Sequence, residues 1–401
     1  MTKGVGLSTA AAELAALKPW PNKALPIGRG EREARLERAR DLMARHDADA
    51  LIVGAGASLR YFSGVAWGAS ERLVAMILAK TGQLVFICPA FEKGSLDAAL
   101  NVDADCRCWE EDEDPYELTA SILRELGADR IAIDPAMAFT MADRLRRASP
   151  SARLSDASAI IDGCRMLKSR AELSLMQQAK SMTLEVQRRA ARMLQPGVST
   201  AAVRRFIDEA HRALGADGST FCIVLFGEAS SYPHGIPGEQ RLKEGDVVLI
   251  DTGCAVDGYN SDITRTYVFG APSDEQRAMW DLEHEAQAAA FKAADPGVPC
   301  EAVDNAARRV LERAGLGPGY ALPGLPHRTG HGIGLSIHEA PYLVRGDRTP
   351  LAAGMCFSNE PMIVLPGRFG IRLEDHFYMS ADGPVWFTEP SPSIDAPFGD
   401  H

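Results

Sequence analysis

No stretch of this sequence approaches the ~18–20 consecutive apolar residues of a membrane-spanning helix, so no span is expected. Low-complexity tracts are missing too. The formal net charge is −11 and no basic stripe interrupts it, which argues against a nucleic-acid partner. The Ala-rich stretch Ser8–Leu17 contains Glu13 and runs into Pro19-Trp20-Pro21, so it lacks the continuous apolar core of a secretion signal. Cysteines are present but not in zinc-type spacing. Cys88, Cys106, Cys108, Cys164, Cys222, Cys254, Cys300 and Cys356 form no CxxC pair and mostly sit in apolar segments, as reduced buried thiols of a cytoplasmic protein would.

What is present is a well-mixed globular chain of 401 residues, long enough for two domains. The first half alternates helical and strand patterns. Glu31–Arg45 reads as a charged amphipathic helix, Ala50–Val53 as a strand, Leu73–Leu78 and Leu84–Cys88 as a hairpin around Thr81-Gly82, and Arg130–Asp134 as a further strand. A domain boundary fits near Ser158–Lys168, because Ser169-x-x-Glu172 makes a capping box that opens a long helix ended by Pro196-Gly197. The expected organisation is an extension over residues 1–30, an α/β domain over 31–163 and a second domain over 164–401.

The second half is written twice. Pro196-Gly197-Val198 recurs as Pro296-Gly297-Val298, and His234-Gly235-Ile236 as His331-Gly332-Ile333. Gly245 precedes an apolar strand ending at Asp251, and Gly354 one ending at Glu360; each strand turns back into another, carrying Asp262 and Glu374 respectively. The order is kept and the offsets stay between 97 and 112 residues, as an internal pseudo-two-fold repeat requires.

That frame predicts a metal site. A loop centred near Val256–Asp257 would set Asp251 directly opposite Asp262, and one centred near Gly367 would set Glu360 opposite Glu374, each pair on one face. Packed halves would bring both pairs together with His331. Four carboxylates at one point cannot all ionise unaided, and divalent cations remove the conflict. One imidazole and four carboxylates without a thiolate make a fairly hard site, best suited to Mn²⁺, with Co²⁺, Zn²⁺ or Fe²⁺ as alternatives. Two such ions can share a water, lower its pKa and polarise a carbonyl.

The strings Asp251-Thr252-Gly253, Ser261-Asp262-Ile263-Thr264-Arg265-Thr266, Gly330-His331-Gly332-Ile333-Gly334, Asn359-Glu360-Pro361 and Arg372-Leu373-Glu374-Asp375 resemble those of the pita-bread metallopeptidases, which include prolidase, aminopeptidase P and methionine aminopeptidase. Asp49-Ala50-Leu51 and Leu59-Arg60-Tyr61-Phe62-Ser63-Gly64 resemble the creatinase-type N-terminal domain. The implied fold is α+β, a duplicated pita-bread catalytic domain behind a creatinase-type α/β domain. The resemblance also implies that Asp251 holds one metal and His331 the other, that Asp262 and Glu374 bridge, and that Glu360 binds the second ion and acts as general base. His234 and His338 would contact the scissile carbonyl or the tetrahedral intermediate, and Arg372 would orient Glu374 or meet a substrate carboxylate. The remaining histidines, including His211, His284 and His376, read as surface or helix residues.

An N-domain combined with a full ligand set implies cleavage of Xaa-Pro bonds, and the modest length favours a prolidase acting on dipeptides, as a homodimer. Aminopeptidase P, a small-molecule amide hydrolase and a non-catalytic binding protein are the alternatives. Two positions depart from the family pattern. Glu360-Pro361-Met362-Ile363-Val364 puts Val364 where a Tyr is common, and Tyr342 stands where some prolidases place an Arg that grips the dipeptide carboxylate. Arg345 is the expected substitute for that Arg.

Overall fold

The computed structural model describes residues 2–399. They form two compact units: residues 26–165, and residues 166 onward together with the segment up to Leu25. No helix of the described residues is long and apolar enough to cross a membrane.

The unit over residues 26–165 is a six-stranded mixed sheet. Its strands are β1 (Ala50–Gly54), β2 (Ala75–Ala79), β3 (Leu84–Pro89), β4 (Ala104–Trp109), β5 (Arg130–Ile133) and β6 (Arg153–Asp156), in the order β4-β3-β2-β1-β5-β6. The hairpin expected around Thr81-Gly82 is β2–β3, with Ala75 paired to Ile87. β1 and β2 are buried along their whole length, as near-continuous apolar runs require when both faces are covered. The edge strands β4 and β6 escape sequence reading. Their Arg107, Arg153 and Asp156 break the apolar pattern because an edge strand has less to bury.

In the second unit the repeat is visible down to single hydrogen bonds. The helices Arg170–Met193 and Thr200–Leu214 cover the first half, and Asp274–Ala293 and Cys300–Arg313 the second. Ser169 and Ser273 each close a capping box on the long helix that follows. Gly197 N–H donates to Leu242 O at 2.7 Å, and Gly297 N–H to Leu351 O at 2.8 Å. Gly245 N–H reaches Phe269 O and Gly354 N–H reaches Met379 O, each at 2.8 Å. The segment up to Leu25 belongs to this unit instead of standing as a separate extension. Its helix Ala10–Ala16 buries Glu13, whose carboxylate accepts from Arg189 at 3.0 Å and Arg192 at 2.9 Å on the Arg170–Met193 helix.

The sheets of the two halves are built from β7 (Ser219–Phe226), β8 (Val247–Val256), β9 (Tyr259–Asn260) and β10 (Ile263–Val268) in the first, and from β11 (Gly330–Gly332), β12 (Glu339–Leu343), β13 (Cys356–Asn359), β14 (Met362–Leu365), β15 (Phe369–Arg372), β16 (Asp375–Ser380) and β17 (Gly383–Trp386) in the second. Strand alternation separates the two faces of β8. Val248, Ile250 and Cys254 join the core of the first half with Ala179, Met182 and Val186. Val247 and Leu249 turn the other way, into the core that holds Phe357 and Leu373 of the second half. Asp251 follows on that same face, so the fold aims it at the junction of the repeats.

One pair of residues pins both hairpins. The Gln187 carboxamide N–H donates to Ile250 O and Ile263 O, both at 2.9 Å, and Gln287, 100 residues on, donates to Asn359 O at 3.3 Å and Leu373 O at 3.2 Å. Each bridges the two strands that carry the acids. In Gln187→Leu two buried carbonyls lose their donor, at a cost of about 1–3 kcal/mol. Urea unfolding of the metal-loaded protein checks this, and an unchanged midpoint would remove Gln187 from the frame.

Candidate metal centre

The first hairpin has a different register from the expected one. Asp257 and Gly258 both take positive φ, 47° and 80°, as the two central residues of a tight turn flanked by the pair Val256↔Tyr259. The turn is therefore centred half a residue beyond Asp257, and Thr264 rather than Asp262 is the partner of Asp251. Asp262 lies where the ladder is interrupted, between the pairs Thr252↔Ile263 and Ala255↔Asn260. A Cβ on Gly253 would stand 1.9 Å from the Ser261 carbonyl oxygen, so only glycine lets the strands close there. The second hairpin turns at Gly367, as expected. Its ladder breaks between Asn359↔Asp375 and Met362↔Arg372, leaving Glu360 and Glu374 facing each other across the gap.

Thr264 welds the hairpins together. Its carbonyl accepts from Glu374 N–H at 3.1 Å, and its hydroxyl donates to Glu374 Oε2 at 2.6 Å. All five expected ligands, Asp251, Asp262, His331, Glu360 and Glu374, line one cavity of about 330 Å³ with His234, His338 and Arg372. His331 Nδ1 donates to Gly332 O at 3.0 Å, which points Nε2 at the carboxylates, 3.1 Å from Glu360 Oε1 and 3.7 Å from Asp262 Oδ2. Ser358 links this pair: it accepts from His331 N–H at 2.9 Å and donates to Glu360 Oε1 at 3.0 Å. Arg372 goes to Asp251 rather than Glu374, with Nη2 2.6 Å from Asp251 Oδ2 and Nη1 3.2 Å from Pro233 O.

The charge pattern is that of a cation site. Burial and the neighbouring acids Glu374 and Asp251 push Asp262 well above the ordinary carboxylate range; burial, Glu360 and Asp251 do the same to Glu374. Burial raises Asp251 too, against the pull of Arg372. Glu360 goes the other way: burial opposes ionisation, but the hydrogen bond from His331 brings it down to about 2. Asp251 Oδ1, Asp262 Oδ1 and Glu374 Oε1 are buried with no hydrogen-bond partner among the described residues, and His331, Glu360 and Glu374 each put a ligand atom within 4.8 Å of the others. Unpaired acceptors around one imidazole fit divalent cations and little else.

Other expectations fare differently. Val364 lies in the core and pairs with Gly324, so it does not line the cavity. Arg345 is exposed and is not among the cavity-lining residues. His376 is not a surface residue: it is fully buried on β16, 3.9 Å from Glu374 Oε1, and neither ring nitrogen has a hydrogen-bond partner among the described residues. Sequence reading missed the apolar wall of Phe221, Ile223 and Ile337, although Ile223 and Phe221 are the β7 partners of Asp251 and Gly253. It also missed His327 and Arg328, which line an adjoining cavity of about 310 Å³ with His234, His331, His338, Glu360 and Arg372.

The metallopeptidase family M24 profile matches residues 174–381, and the creatinase/prolidase N-terminal domain profile matches residues 35–167. The chain belongs to the M24 metallopeptidases. An Xaa-Pro dipeptidase of Lactobacillus helveticus is 33% identical over 340 residues, covering 82% of this chain and 90% of that one. Dipeptidase PepE of Mycobacterium ulcerans superposes with a TM-score of 0.83 at 34% identity, covering 91% and 97% of the two chains. A prolidase of Thermococcus sibiricus gives 0.82 at 29% identity, covering 89% and 96%. The creatinase-type plus pita-bread architecture, the metallopeptidase activity and the dependence on metal follow from this membership.

Raised carboxylates give a signed pH prediction. Without metal, Asp262 and Glu374 keep protons that the unfolded chain releases near its ordinary values of 3.8 and 4.5. Folded protein then binds more protons than unfolded, so stability falls as pH rises through that window. The melting temperature of chelator-treated protein should drop from mildly acidic to neutral pH, and saturating Mn²⁺ should abolish the slope. Asp262→Asn should stabilise the metal-free form yet lose the Mn²⁺-dependent gain. A variant keeping that gain would show that Asp262 is not a ligand.

Proposed function

We propose that this metallopeptidase hydrolyses Xaa-Pro bonds, dipeptides first, with a pair of Mn²⁺ ions as the best-suited metal. Asp251 would hold one ion and His331 the other, with Asp262 and Glu374 shared and Glu360 on the second. Bound ions would acidify the attacking water and polarise the scissile carbonyl. The chain's own groups complete the reaction. Glu360 takes the water proton on its carboxylate, which His331 and Ser358 hold in place. His338, tilted against His331 with ring centroids 4.1 Å apart, and His234 face the cavity as donors to the developing oxyanion. Partial desolvation, followed by the neighbouring His331, lowers the His338 pKa and favours its neutral, singly protonated ring. Arg372 positions Asp251 and keeps its carboxylate aimed into the site. A tertiary amide suits this cavity, since the leaving nitrogen of an Xaa-Pro bond carries no N–H to be satisfied.

The observation that carries the dipeptide reading is Arg328. Tyr342, at the position where some prolidases have an Arg, is the strand partner of His331, and the Arg328 guanidinium lies over its ring at 4.4 Å. A cation is thus restored beside that position from the segment that leads into β11. Arg328 is exposed, lines the adjoining cavity and pairs with no acidic side chain among the described residues. A guanidinium on the adjoining cavity, together with the apolar wall of the metal-site cavity, supports recognition of a short substrate by its free carboxylate. Arg345 is not placed to do this.

Hydrolysis of Xaa-Pro dipeptides against Xaa-Pro-Yaa tripeptides, with chelator and with added Mn²⁺, tests the reading. Dipeptides should be preferred, and chelation should abolish turnover. Arg328→Ala should raise KM for the dipeptide by roughly tenfold with little change in kcat, the loss expected for one partly solvated charge-assisted bond. It should leave the C-terminally amidated dipeptide unaffected. Tripeptide preference would move the assignment to aminopeptidase P, and metal-independent turnover would overturn the mechanism.

A further inference from the structure

A second cluster of metal-type donors lies in the unit over residues 26–165. Cys88 on β3 is the register partner of Cys108 on β4, and their sulfurs are 3.8 Å apart. Cys106 is two residues before Cys108, so strand alternation puts it on the same face. The three Sγ atoms all lie within 4.8 Å of one another. Three sulfurs bound to one ion at ~2.3 Å would themselves be separated by about 3.7–4.0 Å, so the free thiols need little movement to converge. Cys88 is fully buried at the base, whereas Cys106 and Cys108 are half-buried on an edge strand, which gives an ion a way in. The Lys93 ammonium acts electrostatically on Cys106 and Cys108, and Asp97, paired with it at 2.5 Å, opposes its effect on Cys106.

We propose that Cys88, Cys106 and Cys108 form a three-thiolate site for a soft monovalent d¹⁰ cation of the Cu⁺ type. The donor set selects the ion. Among the described residues no imidazole or carboxylate belongs to the cluster, whereas structural Zn²⁺ sites are almost always four-coordinate. Hard Mn²⁺ prefers oxygen, so the cluster does not compete for the ions of the catalytic unit. Each thiol that ligates exchanges its S–H bond for an S–Cu bond and releases its proton to solvent. Burial pushes the Cys88 and Cys106 thiols up, in keeping with their place at a partly covered apolar cluster.

The test uses full-length, Mn²⁺-loaded protein under anaerobic reducing conditions, titrated with Cu⁺ against a chromogenic chelator. One tightly held Cu⁺ per chain is expected, with sulfur-only coordination by three scatterers at the copper absorption edge. Cys106→Ser and Cys108→Ser, both half-buried and tolerant of a polar atom, should each weaken binding by at least about tenfold, a change of about 1.4 kcal/mol. Both should leave peptidase turnover unchanged. Binding that survives in both variants, coordination by two sulfurs, or formation of a Cys88–Cys108 disulfide in place of a copper adduct would each overturn the proposal.

Discussion

Everything in the catalytic unit is arranged around a charge conflict. Asp251, Asp262, Glu360 and Glu374 are all buried or nearly so at one point, and removing like charges from water is among the most expensive things a fold can do. The conflict persists only because the backbone leaves the acids no other place. Thr264 ties Glu374 to the first hairpin, Gln187 and Gln287 hold the strands behind the acids, and Gly253 permits the pinch beside Asp262. Metal affinity is the other side of this frustration. Energy stored as unpaired carboxylate oxygen is released when cations arrive.

Duplication is what makes such a site buildable. A single hairpin offers two side chains on one face, too few to enclose an ion. Two hairpins related by a pseudo-two-fold supply four acids from four strand segments, and they meet at the points where each ladder is interrupted. Interruption matters, because a residue within a continuous ladder is held at the pleat, whereas Asp262, Glu360 and Glu374 sit at gaps and can lean toward a shared centre. Pro361, which has no N–H, stands in one gap, and Gly253 in the other.

Much of this was legible from residue types and spacing. The repeat, the hairpin positions and the convergence of the five candidate side chains are encoded locally, in strand alternation and turn residues. The exact partner of Asp251 was not, because a two-residue turn at Asp257-Gly258 displaces the register from that of a loop centred one position earlier. Cross-repeat partners were not legible either. Gln187 and Gln287 look like ordinary helix residues until the strands they bridge are known. His376 and Arg328 depend on which way a strand faces and on which ring a side chain lies over, and neither leaves a periodic signal. Residues up to Leu25 contain no motif, and their attachment joins backbone bonds such as Gly6 N–H to Ala191 O with the buried Glu13 meeting two arginines from a helix more than 170 residues away.

The symmetry of the frame is broken in its chemistry. The first half contributes Asp251, whose carboxylate already has a permanent cation in Arg372, fixed by the backbone oxygen of Pro233. The second half contributes Glu360, whose neighbour is His331, a base that can yield its position facing the carboxylates to a metal. The two sides therefore differ in how much charge an incoming ion must neutralise. Asp262 and Glu374, between them, have neither kind of fixed partner close enough to hold them ionised, and they are the two acids pushed furthest toward protonation. Cations held beside those two carboxylates would relieve the strongest push toward protonation among the four acids of the cavity.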